Sequence, residues 1–287
     1  MTERSALPTS PGTPSRDGHT YVLGSHGEEL ARLERQHNTW QAAMQAGWQR
    51  AGFAAGQRLL DLGCGPGLAS LELAELVGPA GRVLAIDSAR AFLAHLAAEQ
   101  QRRQLHQLTV LEHNLAEPLA GGLGAGPWDG AWCRWLAMFL PRLEPMLDLL
   151  VQALRPGGRL VLHEYVRWDT FSLHPRGPAL ATFVQRCIAL WREHGGDPDV
   201  AGRLPALLEA RGFRLLESRS LMACTPADQP EARWLQDFLT SYPEQLRAAG
   251  RWSTAEQAAL EDELRWARDH TSLWVTPALV EQIWELP

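Results

Sequence analysis

The segment Arg58–Gly67, with the sequence R-L-L-D-L-G-C-G-P-G, constrains the fold more than any other part of the chain. Its apolar run contains an acid, glycines follow at alternating positions, and a helical pattern, Leu68 to Val77, begins at once. A strand that turns through glycines into a helix brings exposed backbone and a helix N-terminus to one point. The segment therefore predicts a ligand site, formed mostly by main chain, at the end of a strand.

A second acid stands at the end of the next predicted strand. Asp87 follows Arg82–Ile86, and an acid at this place can accept hydrogen bonds from both hydroxyls of a ribose. Together the two strand ends indicate a nucleoside cofactor. A dinucleotide fingerprint would need glycine at position 68, which is Leu68, and the chain has no G-K-S or G-K-T of a P-loop.

Strand and helix patterns alternate through the middle of the chain. The predicted strands are 57–62, 82–87, 107–113, 129–134 and 159–165, and the predicted helices are 67–77, 89–104 and 143–154. This alternation predicts an α/β fold with a doubly wound, mostly parallel sheet, helices on both faces and right-handed crossovers. Ligands of such sheets lie at the carboxyl ends of the strands.

The flanking segments are predicted to complete one domain. We expect residues 1–20 to form a flexible tail and residues 21–287 a single domain. The expected core comprises about 56–165, 202–225 and 271–287, and the expected helical lid pieces are about 21–50, 166–201 and 226–270. Ser253 and Glu256 form a capping-box pattern, and the alternation of 272–284 predicts a final antiparallel strand.

Composition restricts the chemistry and the partners. The formal net charge of -6 argues against nucleic acid as a partner. The 4 cysteines include no C-x-x-C pair, so neither a metal site nor a disulfide framework is predicted. Lysine is absent, which excludes Schiff-base chemistry. No apolar run approaches the ~18 residues of a membrane span, and the first twenty residues lack a signal-peptide pattern, so we expect a cytoplasmic protein.

The set of motifs resembles the class I S-adenosylmethionine-dependent methyltransferases, in particular small-molecule enzymes similar to ubiquinone and menaquinone biosynthesis methyltransferases. The resemblance covers roughly residues 57–165 and rests on Leu60–Gly67, Asp87, Trp128-Asp129 and Leu154–Gly158. It implies a seven-stranded Rossmann-like fold and S-adenosylmethionine as the cofactor. It also implies methyl transfer by in-line displacement to an oxygen, nitrogen or carbon atom of a small molecule, which we expect to be aromatic or apolar.

The resemblance assigns residues to the cofactor. Gly63 and Gly65 would let the backbone approach the methionine part, and Asp61 would hold its amino group. Asp87 would bind the ribose hydroxyls. Asn114 stands where the family often has an acid that reaches the adenine amino group, and its carbonyl can accept the same hydrogen bond. The other implied cofactor contacts are Tyr21, Gln36, Ser88, Leu115 and Arg134.

The acceptor side is predicted from fewer signals. His163 and Glu164 end the fifth predicted strand, where a side chain can point into the site, and each is a candidate base. The competing interpretation of each is a structural residue at the sheet edge whose hydrogen bonds are satisfied within the protein. Four aromatic residues are expected to line a pocket for a flat or apolar acceptor, with core packing as the competing interpretation. They are Trp135, Tyr165, Trp168 and Phe171.

Other functions remain open at this point. A methyltransferase could act on tRNA or protein, but Cys133–Leu136 stands where an N-P-P-Y or N-P-P-F tetrapeptide would support methylation of a base amino group. A nicotinamide oxidoreductase is disfavoured by the glycine spacing. A catalytically silent cofactor-binding protein is the third alternative. We expect a small-molecule acceptor and no nucleic-acid or membrane partner, and the oligomeric state stays open, with a homodimer as one candidate.

Overall fold

The structure, a computed structural model, describes residues 26–123 and 126–287, so the tail predicted at 1–20 lies outside the described residues. Its strands are β1 (Arg58–Leu62), β2 (Arg82–Asp87), β3 (Leu108–Glu112), β4 (Trp128–Arg134), β5 (Leu154–Arg167), β6 (Ser172–His174), β7 (Arg214–Ser220), β8 (Cys224–Pro226), β9 (Leu273–Val275) and β10 (Ala278–Leu286). Its α-helices are α1 (His26–Arg50), α2 (Leu68–Val77), α3 (Arg90–Arg102), α4 (Glu144–Ala153), α5 (Pro178–Glu193), α6 (Leu204–Glu209), α7 (Pro230–Ala248) and α8 (Thr254–Asp269). Single 3-10 turns lie at Ala137–Phe139, Trp168–Thr170 and Val200–Gly202.

Seven strands form the main sheet, in the order β3-β2-β1-β4-β5-β10-β7. Strands β1 to β5 pair in parallel, and β10 pairs antiparallel with both β5 and β7. The predicted α/β fold with a mostly parallel seven-stranded sheet and flanking helices is confirmed. The strand order reverses between β1 and β4, and in such sheets the crevice for a ligand opens at the carboxyl ends on either side of this point.

Alternation along the strands divides the core into two layers. Leu60 and Leu62 of β1 belong to the apolar cluster that includes α4, whereas Leu59 belongs to the cluster that includes α2. Strand β4 alternates in the same way, with Cys133 in the first cluster and Trp132 in the second. Successive side chains of a strand point to opposite faces, so a near-continuous apolar run is buried on both sides.

The structure differs from the predicted elements at β5 and in a small second sheet. Strand β5 begins at Leu154, five residues before the predicted start at residue 159, and its pairing with β4 shifts register between Trp128 and Gly130. Strands β6, β9 and β8 form a three-stranded sheet that the sequence analysis missed. Strands of three residues are too short to show a period of two, so no pattern marks them.

Helical segments pack beside the carboxyl ends of β1 and β4. The predicted capping box at the start of α8 is present, since Ser253 Oγ accepts the N–H of Glu256 at 3.1 Å and Glu256 Oε2 accepts the N–H of Ser253 at 2.8 Å. Helix α1 is joined to α7 by the Arg35–Asp237 ion pair of 2.7 Å. Within the described residues, no helix is both long and apolar enough to cross a membrane.

Candidate functional site

The turn after β1 is braced by the end of β2. The backbone N–H groups of Gly63 and Cys64 both donate to the carbonyl oxygen of Ile86, at 2.8 and 3.0 Å. The next N–H along the chain, that of Gly65, donates to Oδ2 of Asp87 at 2.8 Å. The acid of β2 therefore also holds the turn in place, so the ends of β1 and β2 lie against each other.

Two glycines of this turn differ in what surrounds them. Gly65 and Gly67 have φ values of 53° and 84°, in the left-handed region that favours glycine. A Cβ at Gly67 would lie 2.2 Å from the side chain of Leu96. A Cβ at Gly65 would meet no atom of the described residues within 4 Å. Gly67 is required by packing, whereas Gly65 leaves main chain open for the approach of a ligand.

Asp61 is a buried acid beneath the turn. Its side chain is 2% exposed, and Oδ2 accepts a hydrogen bond of 2.5 Å from the hydroxyl of Ser70 in α2. Burial raises the pKa of Asp61 to about 6, against the opposing effects of the Ser70 hydrogen bond and of Arg134. A bound cationic group would favour the ionised form, so the position fits an ammonium group.

Asp87 lies between the turn and the start of α3. Its two oxygens accept the N–H groups of Gly65 and Ala89, each at 2.8 Å. Each carboxylate oxygen can accept more than one hydrogen bond, so acceptor positions remain for a pair of hydroxyls. Ser88 is exposed directly beside it. A structural role at the turn and the predicted role toward a ribose are therefore compatible.

Arg134, at the end of β4, is half-buried with one free donor. Its Nη2 donates to Nδ1 of His37 at 3.2 Å, and its guanidinium lies 5.8 and 5.0 Å from the ring centroids of Trp132 and Trp135. Burial lowers the pKa of Arg134 to about 10, which leaves it a cation at neutral pH. Nη1 is shielded from solvent and has no hydrogen-bond partner among the described residues. This donor fits an anionic group of a ligand.

The carboxylate of Glu72, in α2, forms hydrogen bonds with three side chains of α1. Oε1 of Glu72 bonds to Nε2 of His37 and to Nε2 of Gln41, both at 2.6 Å, and Oε2 accepts from Gln45 at 2.8 Å. Burial opposes the ionised form of Glu72, but these hydrogen bonds outweigh it and lower the pKa. The sequence analysis missed this network, although His37, Gln41 and Gln45 recur every fourth residue on one helix face.

The other predicted cofactor contacts are placed less directly. Oε1 of Gln36 accepts from Nε1 of Trp234 at 3.0 Å, so this side chain joins α1 to α7. Asn114 follows β3, and its Oδ1 accepts the N–H of Ala116 at 3.0 Å. Leu115 is buried beside it. Tyr21 lies outside the described residues. Their roles toward a cofactor stay predictions.

His163 is enclosed beneath the C-terminal part of α1. It is 0% exposed, its Nε2 bonds to Oε2 of Glu281 at 2.8 Å, and its ring meets that of Trp132 edge-on at 4.7 Å. Burial lowers the pKa of His163 and outweighs the opposing effect of Glu281. Arg50 also donates to Glu281. Nε2 of His163 is thus satisfied, whereas Nδ1 is shielded from solvent and has no hydrogen-bond partner among the described residues, and the role of His163 as a base stays a prediction.

Glu164 points to the other face of the sheet and supports the segment after β4. Its Oε1 accepts the N–H groups of Leu136 and Ala137 at 2.8 and 2.7 Å. Burial raises the pKa of Glu164 to about 7, against these hydrogen bonds. Oε2 has no hydrogen-bond partner among the described residues. Glu164 therefore has one oxygen in a structural contact and one oxygen without a partner among the described residues. The pKa of this carboxyl group lies near neutral pH.

An aromatic stack adjoins Arg134. Trp135 has a φ of 52°, unusual for a residue other than glycine, and its ring lies between those of Tyr165 and Trp234. The centroid distances are 6.0 and 5.6 Å, with interplanar angles of 15° and 11°. Trp40 meets the rings of Trp135 and Trp234 edge-on. The sequence analysis did not single out Trp40 and Trp234, because they come from helices far apart in the chain.

The other predicted acceptor residues are part of a buried aromatic layer. Tyr165, Trp168 and Phe171 are 6%, 4% and 1% exposed. Trp168 meets Trp191 of α5 and Phe238 of α7 at centroid distances of 4.7 and 5.7 Å. Three of the four predicted residues thus fill the core that attaches the helical pieces. Trp135 is the partly exposed member of the set.

Residues 59–158 match the methyltransferase domain family. A stretch of 158 residues is 36% identical to the nocamycin O-methyltransferase of Saccharothrix syringae and covers 55% of this chain and 54% of that protein. Another, of 151 residues, is 28% identical to the 2-phytyl-1,4-naphtoquinone methyltransferase of Synechocystis sp. and covers 53% of this chain and 58% of that one. The chain thus spans little more than half the length of these curated relatives.

The fold has counterparts among solved structures. One is a geranyl diphosphate methyltransferase in complex with SAM, with a TM-score of 0.55, 15% identity and 92% of both chains covered. The predicted resemblance of the core to the class I methyltransferases is confirmed. Members of this class use S-adenosylmethionine, and the open main chain at Gly65, the buried acid Asp61 and the free donor of Arg134 fit that cofactor.

Proposed function

We propose that this protein transfers the methyl group of S-adenosylmethionine to an oxygen, nitrogen or carbon atom of a small aromatic or apolar molecule. The observation that carries the proposal is the set of complementary groups at the carboxyl ends of β1, β2 and β4. Open main chain at Gly65, two acids and one shielded cation with a free donor meet there.

The charges of this set match those of the cofactor's amino acid and ribose. Asp61 would hold the ammonium group. Burial disfavours the ionised form of Asp61, and the positive charge of the ammonium group would stabilise that form. Arg134 would hold the carboxylate through its free Nη1. Asp87 would accept the two ribose hydroxyls through the acceptor positions that Gly65 and Ala89 leave open.

When bound, the cofactor supplies an electrophilic methyl group, so the protein has mainly to orient the acceptor and exclude water. Orientation of two reactants is worth up to ~7–11 kcal/mol in ideal cases. Trp135, the partly exposed ring beside Arg134, would contact the acceptor, and the buried rings of Trp40 and Trp234 pack against it. The two curated relatives are, by name, small-molecule methyltransferases, which supports an acceptor of this class.

Glu164 is the better of the two predicted bases for an acceptor that must lose a proton. Oε2 of Glu164 and Nδ1 of His163 both lack a partner among the described residues, but burial raises the pKa of Glu164 to about 7 and lowers the pKa of His163, which makes His163 the weaker base. Glu164→Gln keeps an oxygen that can accept the N–H groups of Leu136 and Ala137. We expect turnover to fall by ~100-fold or more while S-adenosylhomocysteine binds as before. An unchanged rate would show that Glu164 only supports the segment after β4.

Calorimetric titration with S-adenosylmethionine, S-adenosylhomocysteine and NADH tests the cofactor. We expect micromolar binding of the first two and no heat from NADH. Asp87→Ala should weaken binding by about 1.5–3 kcal/mol for each hydrogen bond lost. Glu112→Ala is the matched control, because Glu112 lies opposite Asp87 on β3 and pairs only with exposed Arg90 among the described residues.

The outcomes separate the alternatives. Unchanged affinity in a folded Asp87→Ala variant would refute the ribose assignment, and binding of NADH alone would refute the proposed function. A panel of aromatic and quinone-like acceptors then tests methyl transfer. Cofactor binding without turnover across the panel would favour the catalytically silent cofactor-binding protein. The cytoplasmic location and the homodimer stay predictions.

A further inference from the structure

We propose that His37 and Glu72 form a relay that orients Arg134 toward the carboxylate of the cofactor's amino acid. The inference rests on the proposed function, because it concerns the same site. It adds two positioning residues, one on α1 and one on α2, neither of which belongs to the glycine turn or to the strand ends.

The relay has a defined direction. Arg134 can only donate, so Nδ1 of His37, 3.2 Å from Nη2, must be the acceptor. With Nδ1 as the acceptor, the ring hydrogen of His37 is on Nε2, which donates to Oε1 of Glu72 at 2.6 Å. Glu72 thus selects the tautomer of His37, and that tautomer provides the acceptor for Arg134.

This contact restrains the guanidinium plane. Nη2 is held by His37, and the rings of Trp132 and Trp135 lie 5.8 and 5.0 Å from the guanidinium carbon. Nη1, on the same rigid plane, remains without a partner among the described residues. Guanidinium donors in a fixed plane match a carboxylate in both distance and angle. The free donor is therefore preorganised by a residue that need not touch the ligand.

The same contacts could instead serve only to attach α1 to α2. Other residues also contribute to that attachment, since Gln41 and Gln45 donate to Glu72 at 2.6 and 2.8 Å. No hydrogen bond joins either of them to Arg134 among the described residues. Gln45 therefore provides a control that shares the helix and the carboxylate but not the proposed role.

Two substitutions of His37 separate its two nitrogens. Asn places an oxygen near the position of Nδ1, so His37→Asn can still accept from Arg134. Gln reaches the position of Nε2, so His37→Gln can donate to Glu72 but leaves Arg134 without its acceptor. Both variants retain a polar side chain on α1, and folding is checked by the cooperativity of their unfolding.

The readout is the dissociation constant of two ligands, measured by calorimetry. S-adenosylhomocysteine carries the amino acid, whereas 5′-methylthioadenosine has the adenosine and the sulfur but no carboxylate. We expect His37→Gln to bind S-adenosylhomocysteine at least tenfold more weakly than the wild type, with methylthioadenosine within twofold. His37→Asn should retain most of the affinity for both ligands, and Gln45→Ala should change neither.

Equal weakening of both ligands in His37→Gln would show that His37 only attaches α1, and would overturn the inference. No weakening of either ligand would overturn it as well. A wild-type protein that binds neither ligand would instead refute the proposed function. A wild-type protein that binds both, with the loss in His37→Gln confined to S-adenosylhomocysteine, supports the relay.

Discussion

Replacing Asp61 by asparagine isolates the energetic cost of keeping an acid buried in the site. Asp61 has its ordinary pKa of 3.8 in the unfolded chain and about 6 in the folded protein, chiefly because of burial. The folded state therefore holds this proton more tightly, and ionisation of Asp61 opposes folding. Stability should fall as the pH rises from 3.8 and should stop falling above about 6.

The size of the effect follows from the two pKa values. At 1.36 kcal/mol per pKa unit, the penalty is about 3 kcal/mol at pH 8 and roughly half of that at pH 5. The amide introduced by Asp61→Asn does not titrate, and its other costs, such as an unpaired amide hydrogen, are the same at both pH values. The free energy of unfolding of the variant relative to the wild type should therefore rise by about 1 kcal/mol from pH 5 to pH 8.

Urea unfolding at both pH values, followed by tryptophan fluorescence, measures this difference directly. Titration with S-adenosylhomocysteine completes the test. Wild-type affinity should fall as the pH drops below 6, whereas the Asp61→Asn variant should bind weakly throughout. A relative stability that stays constant between pH 5 and pH 8 would refute the reasoning, because Asp61 would then carry no buried charge. Strong, pH-independent binding by the wild type would refute its role toward an ammonium group.

Two further predictions concern the turn and the helical pieces. Gly65→Ala should cost ~1–2 kcal/mol for its left-handed backbone and abolish cofactor binding, whereas Gly67→Ala should cost more, because its Cβ would also collide with Leu96. Equal stabilities, or normal affinity in Gly65→Ala, would contradict this. Glu263 is buried and accepts two N–H groups at the start of α5, so Glu263→Ala should lower the free energy of unfolding by about 2–4 kcal/mol. Exposed Glu261→Ala should change it little, and a similar loss in both variants would refute the assigned cap.

The sequence alone predicted the features whose causes are local. Five strands with short apolar runs, the glycine turn after β1 and the acids at 61 and 87 all follow from residues adjacent in the chain. The Ser253 capping box belongs to this group as well. A short-range pattern is sufficient there, because a strand, a turn or a helix start depends on neighbours only a few residues away.

The small second sheet lacked such a pattern, and so did the relay. Arg134 and His37 are 97 residues apart, and Gln36 and Trp234, which join α1 to α7, are 198 apart. The structure also changed the interpretation of the aromatic residues. Trp168 and Phe171 are buried in the core, and the buried rings of Trp40 and Trp234 pack against Trp135, the partly exposed ring beside Arg134.

The sequence by itself determined the class of fold and the strand ends at which a nucleoside cofactor would bind. Only the tertiary structure decided which side chains hold other side chains in position. A hydrogen bond between distant residues depends on the relative position of whole helices and strands. That position results from the packing of the entire core, which no short segment of the chain contains.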